Sequence, residues 1–369
     1  MMIHVRRLTA AVVLAVLVAA CSSGGSSSST TAASGAGGTS TTTAGTGAGV
    51  TLHLGYFPNL THATALVGVQ DGIFAKDLGP NVKLDTTTFN AGPAEVTALF
   101  ADALDAAYMG PNSAINAFTQ SGGASIVVIS GATSGGASLV VNSTITSPAQ
   151  LKGAKLATPQ LGNTQDVALR YWLTSQGYHT DTLGGGDVSI LPQANSTAVT
   201  AFQTGAIDGG WLPEPYASEM VADGGHVLVD ERSLWPNAQF ATTVLVVRKA
   251  FLEAHPDVVK ALLQGQVDAN TYINQNPAAA QAAADAQIAA ITGKALDPKL
   301  LAAAWGNMTF TDDPLYGSFQ TDVAHAVSVG LSKPTDLTGL VDVTLLNQVL
   351  AAAGEPAVPV PAPAPASSS

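Results

Sequence analysis

Ile207-Asp208-Gly209-Gly210-Trp211-Leu212-Pro213-Glu214-Pro215 decides how this chain is read. A branched apolar residue and an acid precede two glycines, a large aromatic and a Pro-Glu-Pro turn, the pattern of a short buried strand running into a loop. Strand ends of this kind are where α/β proteins hold ligands. The chain says nearly the same thing 103 residues earlier: Val96-Thr97-Ala98-Leu99-Phe100 and then Leu104-Asp105-Ala106-Ala107-Tyr108 align without a gap with Val199-Thr200-Ala201-Phe202 and then Ile207-Asp208-Gly209-Gly210-Trp211. Order, spacing and a shared aromatic favour two copies of one helix-strand-loop unit over chance, and hence two similar lobes.

Outward from this repeat, the alternation of strands and helices predicts a mostly parallel sheet with right-handed crossovers in each lobe, an α/β fold. Strands are predicted at Val50–Gly55, Val82–Asp85, Ser125–Ser130, Ser138–Asn142, Val188–Leu191, Val227–Asp230 and Phe240–Val247, with a short extended piece at Met308–Phe310. Helices are predicted at Ala63–Lys76, Pro93–Asp102, Ser113–Gln120, Val167–Gln176, Ala198–Thr204 and Pro215–Ala222. From Ala250 onward the chain is Ala-rich and helical, and Pro256, Pro277, Pro298 and Pro314 each mark a helix start. The crossing into the second lobe falls after Gly131–Ala137 and the return at Phe240, which puts the first lobe at 50–137 and 240–354 and the second at 138–239, joined by a hinge.

Of the 369 residues, 46% are hydrophobic and 11% charged, and the formal charge is −12. The chain is too apolar for a disordered protein, and after residue 20 no apolar run reaches the roughly 18 residues of a membrane span. An acidic surface argues against a nucleic-acid partner. Arg6-Arg7, the apolar stretch Leu8–Ala20 and the sole cysteine, Cys21, have the order of a secretory signal. Val18-Ala19-Ala20-Cys21 resembles the lipobox of bacterial lipoproteins, which implies cleavage after residue 20, lipidation of Cys21 and anchoring at the outer face of the cytoplasmic membrane, with no disulfide framework. Residues 21–49, almost entirely Ser, Thr, Gly and Ala, read as a flexible tether, and 355–369 as a disordered Pro/Ala tail.

For chemistry, Gly162-Asn163-Thr164-Gln165-Asp166 turns a loop into a helix, leaving backbone N–H groups and the positive end of a helix dipole for an anion; a plain structural cap is the alternative. Ser134-Gly135-Gly136 reads either as a hinge turn or as donors facing a ligand. Glu214 reads as an acceptor for a ligand's amino or hydroxyl group or as a solvated residue at a helix start. Tyr56, Phe57, Tyr108 and Trp211 read as apolar walls or as core. No Lys or Arg lies in these loops, so an anion would meet neutral donors. The histidines are scattered singly, with His62 in the first loop the one placed to matter. No nucleophile elbow, zinc motif, Walker loop or dinucleotide fingerprint occurs, which points to no catalytic residues, no metal and no cofactor.

Gly55-Tyr56-Phe57-Pro58-Asn59-Leu60-Thr61-His62-Ala63, Asp71-Gly72-Ile73-Phe74, Thr158 to Arg170 and Trp211-Leu212-Pro213-Glu214-Pro215 together resemble the solute-binding lipoproteins of ABC importers for aliphatic sulfonates, nitrate and taurine. The likeness covers about residues 50–330. It implies a two-lobe type II periplasmic-binding fold, each lobe a mostly parallel sheet flanked by helices with two hinge crossings. It further implies a monomer that captures a small organic anion between its lobes and delivers it to a membrane permease. Its ligand loops fall on Tyr56 to His62, Met109 to Asn112, Ser134 to Gly136, Gly162 to Gln165 and Trp211 to Glu214, with Tyr56, Asn59, His62, Asn112, Ser134, Gly135, Gly136, Asn163, Thr164, Gln165, Trp211 and Glu214 as the expected contacts. The pocket Lys usual in nitrate binders has no counterpart, which leaves sulfonates ahead of nitrate, taurine and thiamine-pyrimidine or riboflavin-like precursors. An enzyme related to the pyrimidine-precursor synthases, or a sensor or adhesion lipoprotein without a permease, are readings from other classes.

Overall fold

A computed structural model describes residues 49–359. The signal segment, Cys21, the tether up to residue 48 and the tail from residue 360 lie outside the described residues. The strands are β1 (Val50–Tyr56), β2 (Val82–Thr88), β3 (Ala106–Met109), β4 (Ile126–Gly135), β5 (Ala137–Val141), β6 (Lys155–Thr158), β7 (Ser189–Pro192), β8 (Gly209–Pro213), β9 (His226–Asp230), β10 (Ala241–Arg248) and β11 (Met308–Phe310). They form two sheets, ordered β11-β4-β10-β3-β1-β2 and β7-β6-β8-β5-β9, with helices against them: a two-lobe α/β architecture.

The repeat is visible strand by strand. In the first sheet, β2, β1 and β3 are parallel and β10 runs antiparallel between β3 and β4. In the second, β7, β6 and β8 are parallel and β5 runs antiparallel between β8 and β9. Each lobe thus receives its antiparallel strand from a crossing: β5 follows β4 across Gly136, and β10 follows β9 after the segment 231–240. Register repeats as well. Ala106 and Ala107 lie between Leu54-Gly55 and Val246-Val247, and Gly209 and Gly210 lie between Leu156-Ala157 and Val140-Val141. At Gly209 an added Cβ would sit 2.3 Å from the Val140 carbonyl oxygen, so this central position of the second sheet has no room for a side chain.

Strand periodicity sorts the second lobe's core onto two faces. Trp211 joins Leu139, Leu156, Leu169 and Trp172 beneath the helix Thr164–Ser175. Its neighbour Leu212 joins Val140, Val199, Phe202 and Met220 on the other face. The first lobe has one larger core, running from β1 and β3 through β10 to the long helix Pro256–Gln275.

Three local expectations are corrected. The helix expected over 63–76 is two helices, Ala63–Gln70 and Ile73–Leu78, because Gly72 takes a left-handed φ of 68° between them. The loop expected at Gly131–Ala137 is strand as far as Gly135, since β10 and β11 pair with it on both sides. Pro256, Pro277 and Pro298 open helices, whereas Pro314 does not: Leu315 is left-handed at φ 54° and the helix begins at Tyr316.

Candidate binding site between the lobes

Five helices begin around one narrow cavity of about 300 Å³ lined from both lobes. Asn59, Thr61 and His62 come from the start of the segment that becomes helix Ala63–Gln70, and Asn90 stands before helix Gly92–Phe100. Gly110 precedes helix Pro111–Gln120, Asn163 and Gln165 open helix Thr164–Ser175, and Asn195 opens helix Asn195–Gln203. Phe57, Pro159, Pro213, Thr242 and Thr243 complete the wall. The convergence follows from topology: a parallel strand releases the chain at its carboxyl end, and the next helix starts there.

At four of these five starts no side chain caps the first turn; only at Asn163 does the side chain accept from the Gln165 N–H, at 3.1 Å. The first-turn N–H groups have no partner within their helix, and each dipole adds positive potential at the same place. No charged side chain lines the cavity. The nearest cation of the helix start, Arg170, is buried and held by Asp166 at 2.9 Å and by the Asp181 carbonyl at 2.5 Å. Asp166 also accepts from Thr158 Oγ1 and the Gly162 N–H, so it shapes the loop rather than facing the cavity.

His62 is fully enclosed, and desolvation lowers its pKa to about 3. Its Nδ1 accepts from the Phe57 N–H at 3.3 Å and its ring lies 4.3 Å from the Phe57 ring. The neutral ring therefore carries its proton on Nε2, a donor without charge. Several buried polar atoms around the cleft have no partner: Thr164 Oγ1, Thr243 Oγ1, Asn195 Oδ1, Ser113 Oγ and both amide atoms of Asn112. Such groups are costly unless something else satisfies them.

The sequence-predicted residues divide into three sets. Asn59, His62, Asn163 and Gln165 come together on the cavity. Thr164 meets the opposite lobe at Gly110, and Asn112 lines a separate interlobe gap of about 220 Å³ with Gly162, Val167 and Leu331. The other six are not on it. Tyr56 points into the first lobe's core, its hydroxyl accepting from Gln287 Nε2 at 2.8 Å. Its neighbour Phe57 holds the wall position instead, since successive strand residues face opposite ways. Trp211 is core, with 0% exposure, its indole N–H donating to the buried Glu231 at 2.7 Å. Glu214 is buried but fully engaged, accepting from the Ser218 N–H and hydroxyl and from Asn307 Nδ2 at 2.7 Å. Desolvation raises its pKa, and these hydrogen bonds pull it back. Its helix-start role is retained, its solvation is not.

Ser134, Gly135 and Gly136 build the crossing. Ser134 Oγ accepts from the Phe240 N–H, Thr242 Oγ1 donates to the Gly135 carbonyl at 2.6 Å, and the Gly136 N–H and carbonyl are taken by Asn307 and Glu214. The glycines hold φ of 77° and 74°. They act as a hinge turn, with no donor left for a ligand at Gly136. Gly110 lies in the expected loop Met109 to Asn112, whereas Asn90, Asn195, Thr242 and Thr243 escaped the sequence reading. Asn90 and Asn195 stand in equivalent loops, after β2 and β7, but 105 residues apart, so the 103-residue offset of the repeat does not align them; the Thr pair lies on β10, which arrives from the other lobe.

Comparison with known proteins supports this architecture. Residues 46–289 match the NMT1-like family. The taurine-binding periplasmic protein of Escherichia coli is 29% identical over 216 residues, which span 58% of this chain and 64% of that protein, just under two thirds of its length. The alkanesulfonate-binding protein SsuA of Xanthomonas axonopodis pv. citri, solved with bound MOPS, superposes with a TM-score of 0.64 at 18% identity, covering 77% of this chain and 95% of that one. The periplasmic nitrate-binding protein NrtA of Synechocystis PCC 6803 does so with a TM-score of 0.67 at 14% identity, covering 82% and 89%. The two solved structures share the two-lobe periplasmic-binding fold with this chain. No helix among the described residues is long and apolar enough to cross a membrane, and among them no group of three or more His, Cys, Asp or Glu could hold a metal ion.

Proposed function

Because this chain belongs to the NMT1-like family, we propose that it is the binding component of an ABC importer, taking a small organic anion, foremost an aliphatic sulfonate, into the interlobe cavity and passing it to a membrane permease. The observation that carries this reading is the convergence of five helix starts, four without a side-chain cap, on a cavity with no charged lining. A sulfonate has three acceptor oxygens and spreads its charge over them, which suits several weak donors better than one cation; each helix dipole favours it by roughly 0.3–1 kcal/mol, besides hydrogen bonds. The pocket binds and releases without chemistry, and Cys21 anchors the chain outside the cytoplasmic membrane as a monomeric lipoprotein.

A taurine-like aminosulfonate is the second reading, favoured by Asn195, whose buried Oδ1 has no partner beside the cavity and suits a ligand ammonium. The test is thermal stabilisation and calorimetry of the protein with ethanesulfonate, taurine, nitrate and a thiamine-pyrimidine precursor. Sulfonates are expected to raise the unfolding midpoint, by an amount equivalent to about 2.7 kcal/mol at a hundredfold excess over Kd. Absence of a response to both sulfonates would overturn the assignment.

A further inference from the structure

Gly110 and Thr164 face each other from opposite lobes at the edge of the cavity. Gly110 has φ −72° and ψ 151°, a conformation open to any L-residue, so its own backbone gives no reason for glycine. Within its lobe the space also permits a side chain: an added Cβ would lie 3.6 Å from the Thr242 carbonyl oxygen, an ordinary contact. Across the cleft it would lie 2.4 Å from Thr164 Oγ1 and 3.4 Å from Thr164 Cβ. Thr164 opens its helix, is β-branched and is 3% exposed, so its side chain has little freedom to turn away.

We infer that Gly110 is a closure residue: glycine is required there only by the closed state, in which the starts of helices Pro111–Gln120 and Thr164–Ser175 abut. This rests on the reading of capture between two lobes and adds the point at which the lobes lock. The Gly110–Thr164 contact runs between the main cavity, which includes Gly110, Asn163 and Gln165, and the smaller gap, which includes Asn112 and Gly162. Locking it separates the two spaces. Two positive helix ends are brought together there, so an anion beside them favours the locked arrangement and its absence favours opening. A side chain at residue 110 lowers the fraction of molecules that can close, and the apparent affinity falls by that same fraction.

Two experiments test this. In the first, Gly110→Ala, Gly110→Val, Thr164→Ala, Thr164→Gly and the double variants of Gly110→Ala with each Thr164 change are titrated calorimetrically with taurine and ethanesulfonate. Gly110→Ala is expected to weaken binding about tenfold or more, and Gly110→Val further, with the unfolding midpoint of the ligand-free protein unchanged. Thr164→Ala, which removes the hydroxyl 2.4 Å from the added Cβ and leaves only a 3.4 Å contact to Cβ, should return most of the loss in the double variant, and Thr164→Gly no less. Full-affinity binding by Gly110→Ala, or losses that simply add in the double variants, would overturn the inference.

The second needs no ligand. With Cys21→Ser, the pair Gly110→Cys and Thr164→Cys would place its Cβ atoms 3.4 Å apart, near the roughly 3.5–4.5 Å that disulfides show. Under mild oxidation the pair should crosslink, and faster with any compound that closes the protein. A folded double-cysteine variant that never crosslinks would overturn the closure contact. Crosslinking together with no response to either sulfonate would leave closure standing and remove the sulfonate reading.

Discussion

Trp211 packs edge-on against Trp172, with ring centroids 6.0 Å apart, and donates to a carboxylate that is itself 1% exposed. Removing it opens a large cavity and orphans Glu231, two costs that add. Trp211→Ala is therefore expected to destabilise the protein by about 3–5 kcal/mol in denaturant titration, with Trp211→Phe losing less. Loss of ligand affinity with unchanged stability would instead put the ring on the cleft. His62 makes the opposite case. Its pKa of about 3 keeps it uncharged at every pH where the protein works, so ligand affinity should be flat between about pH 5 and pH 8 with respect to this residue. His62→Ala should weaken binding about tenfold, by loss of one neutral donor. A rise in affinity on acidification through pH 6.5 that His62→Ala abolishes would show a charged ring.

At the scale of elements, the Gly72 break shows how one residue reshapes a predicted helix. Nothing lies within 4 Å of the position a Cβ would take there, so crowding has no part in it. The cost of any side chain is the left-handed backbone alone, and Gly72→Ala should lower stability by about 1–2 kcal/mol without altering ligand affinity. Straightening the two helices into one would turn Phe74, buried against Gly68 and Gly265, out of the core. The crossings follow a similar logic: Gly136 accommodates φ 74° while both its N–H and its carbonyl stay paired across the lobes, which keeps a mobile joint from leaving buried groups unsatisfied.

For the whole molecule, buried acids set how stability depends on pH. Burial lifts Glu231 to about 7 and Asp312 to about 6, and raises Glu95 and Asp322 well above the usual carboxylate range. A raised folded pKa means the folded state holds more protons, so this contribution is complete below about 4.5 and is lost as pH rises through about 7. The buried His62 and the half-buried His325 act against it: with folded pKa values of about 3 and about 4, their contribution is present above about 6.5 and lost on acidification. Stability should accordingly peak on the mildly acidic side of neutrality. Glu231→Gln should flatten the fall between pH 5 and pH 8, as followed by denaturant midpoints, while keeping an acceptor for the Trp211 indole. A fall of unchanged slope in the variant would place Glu231 in contact with water.

The sequence by itself determined the repeat, the two α/β lobes and the loop that opens helix Thr164–Ser175, because these are written in local signals: hydrophobic period, glycines before a helix, and a duplication 103 residues apart. It also determined that the ligand loops bring no Lys or Arg to the site, whereas the withdrawal of Glu214 from it was decided by folding. Only the tertiary structure decided which of two adjacent side chains faces the cleft. Tyr56 and Phe57 are equally plausible from the sequence, and the pleat sends them to different sides, as it does Trp211 and Leu212 on β8. Only it could show that Glu214 and Ser134 to Gly136 are bonded across the crossings, because their partners Asn307, Phe240 and Thr242 lie 93 to 107 residues away. Gly110 belongs to the same class: what forbids a side chain there is Thr164 on the other lobe, a contact that exists only once the two halves meet.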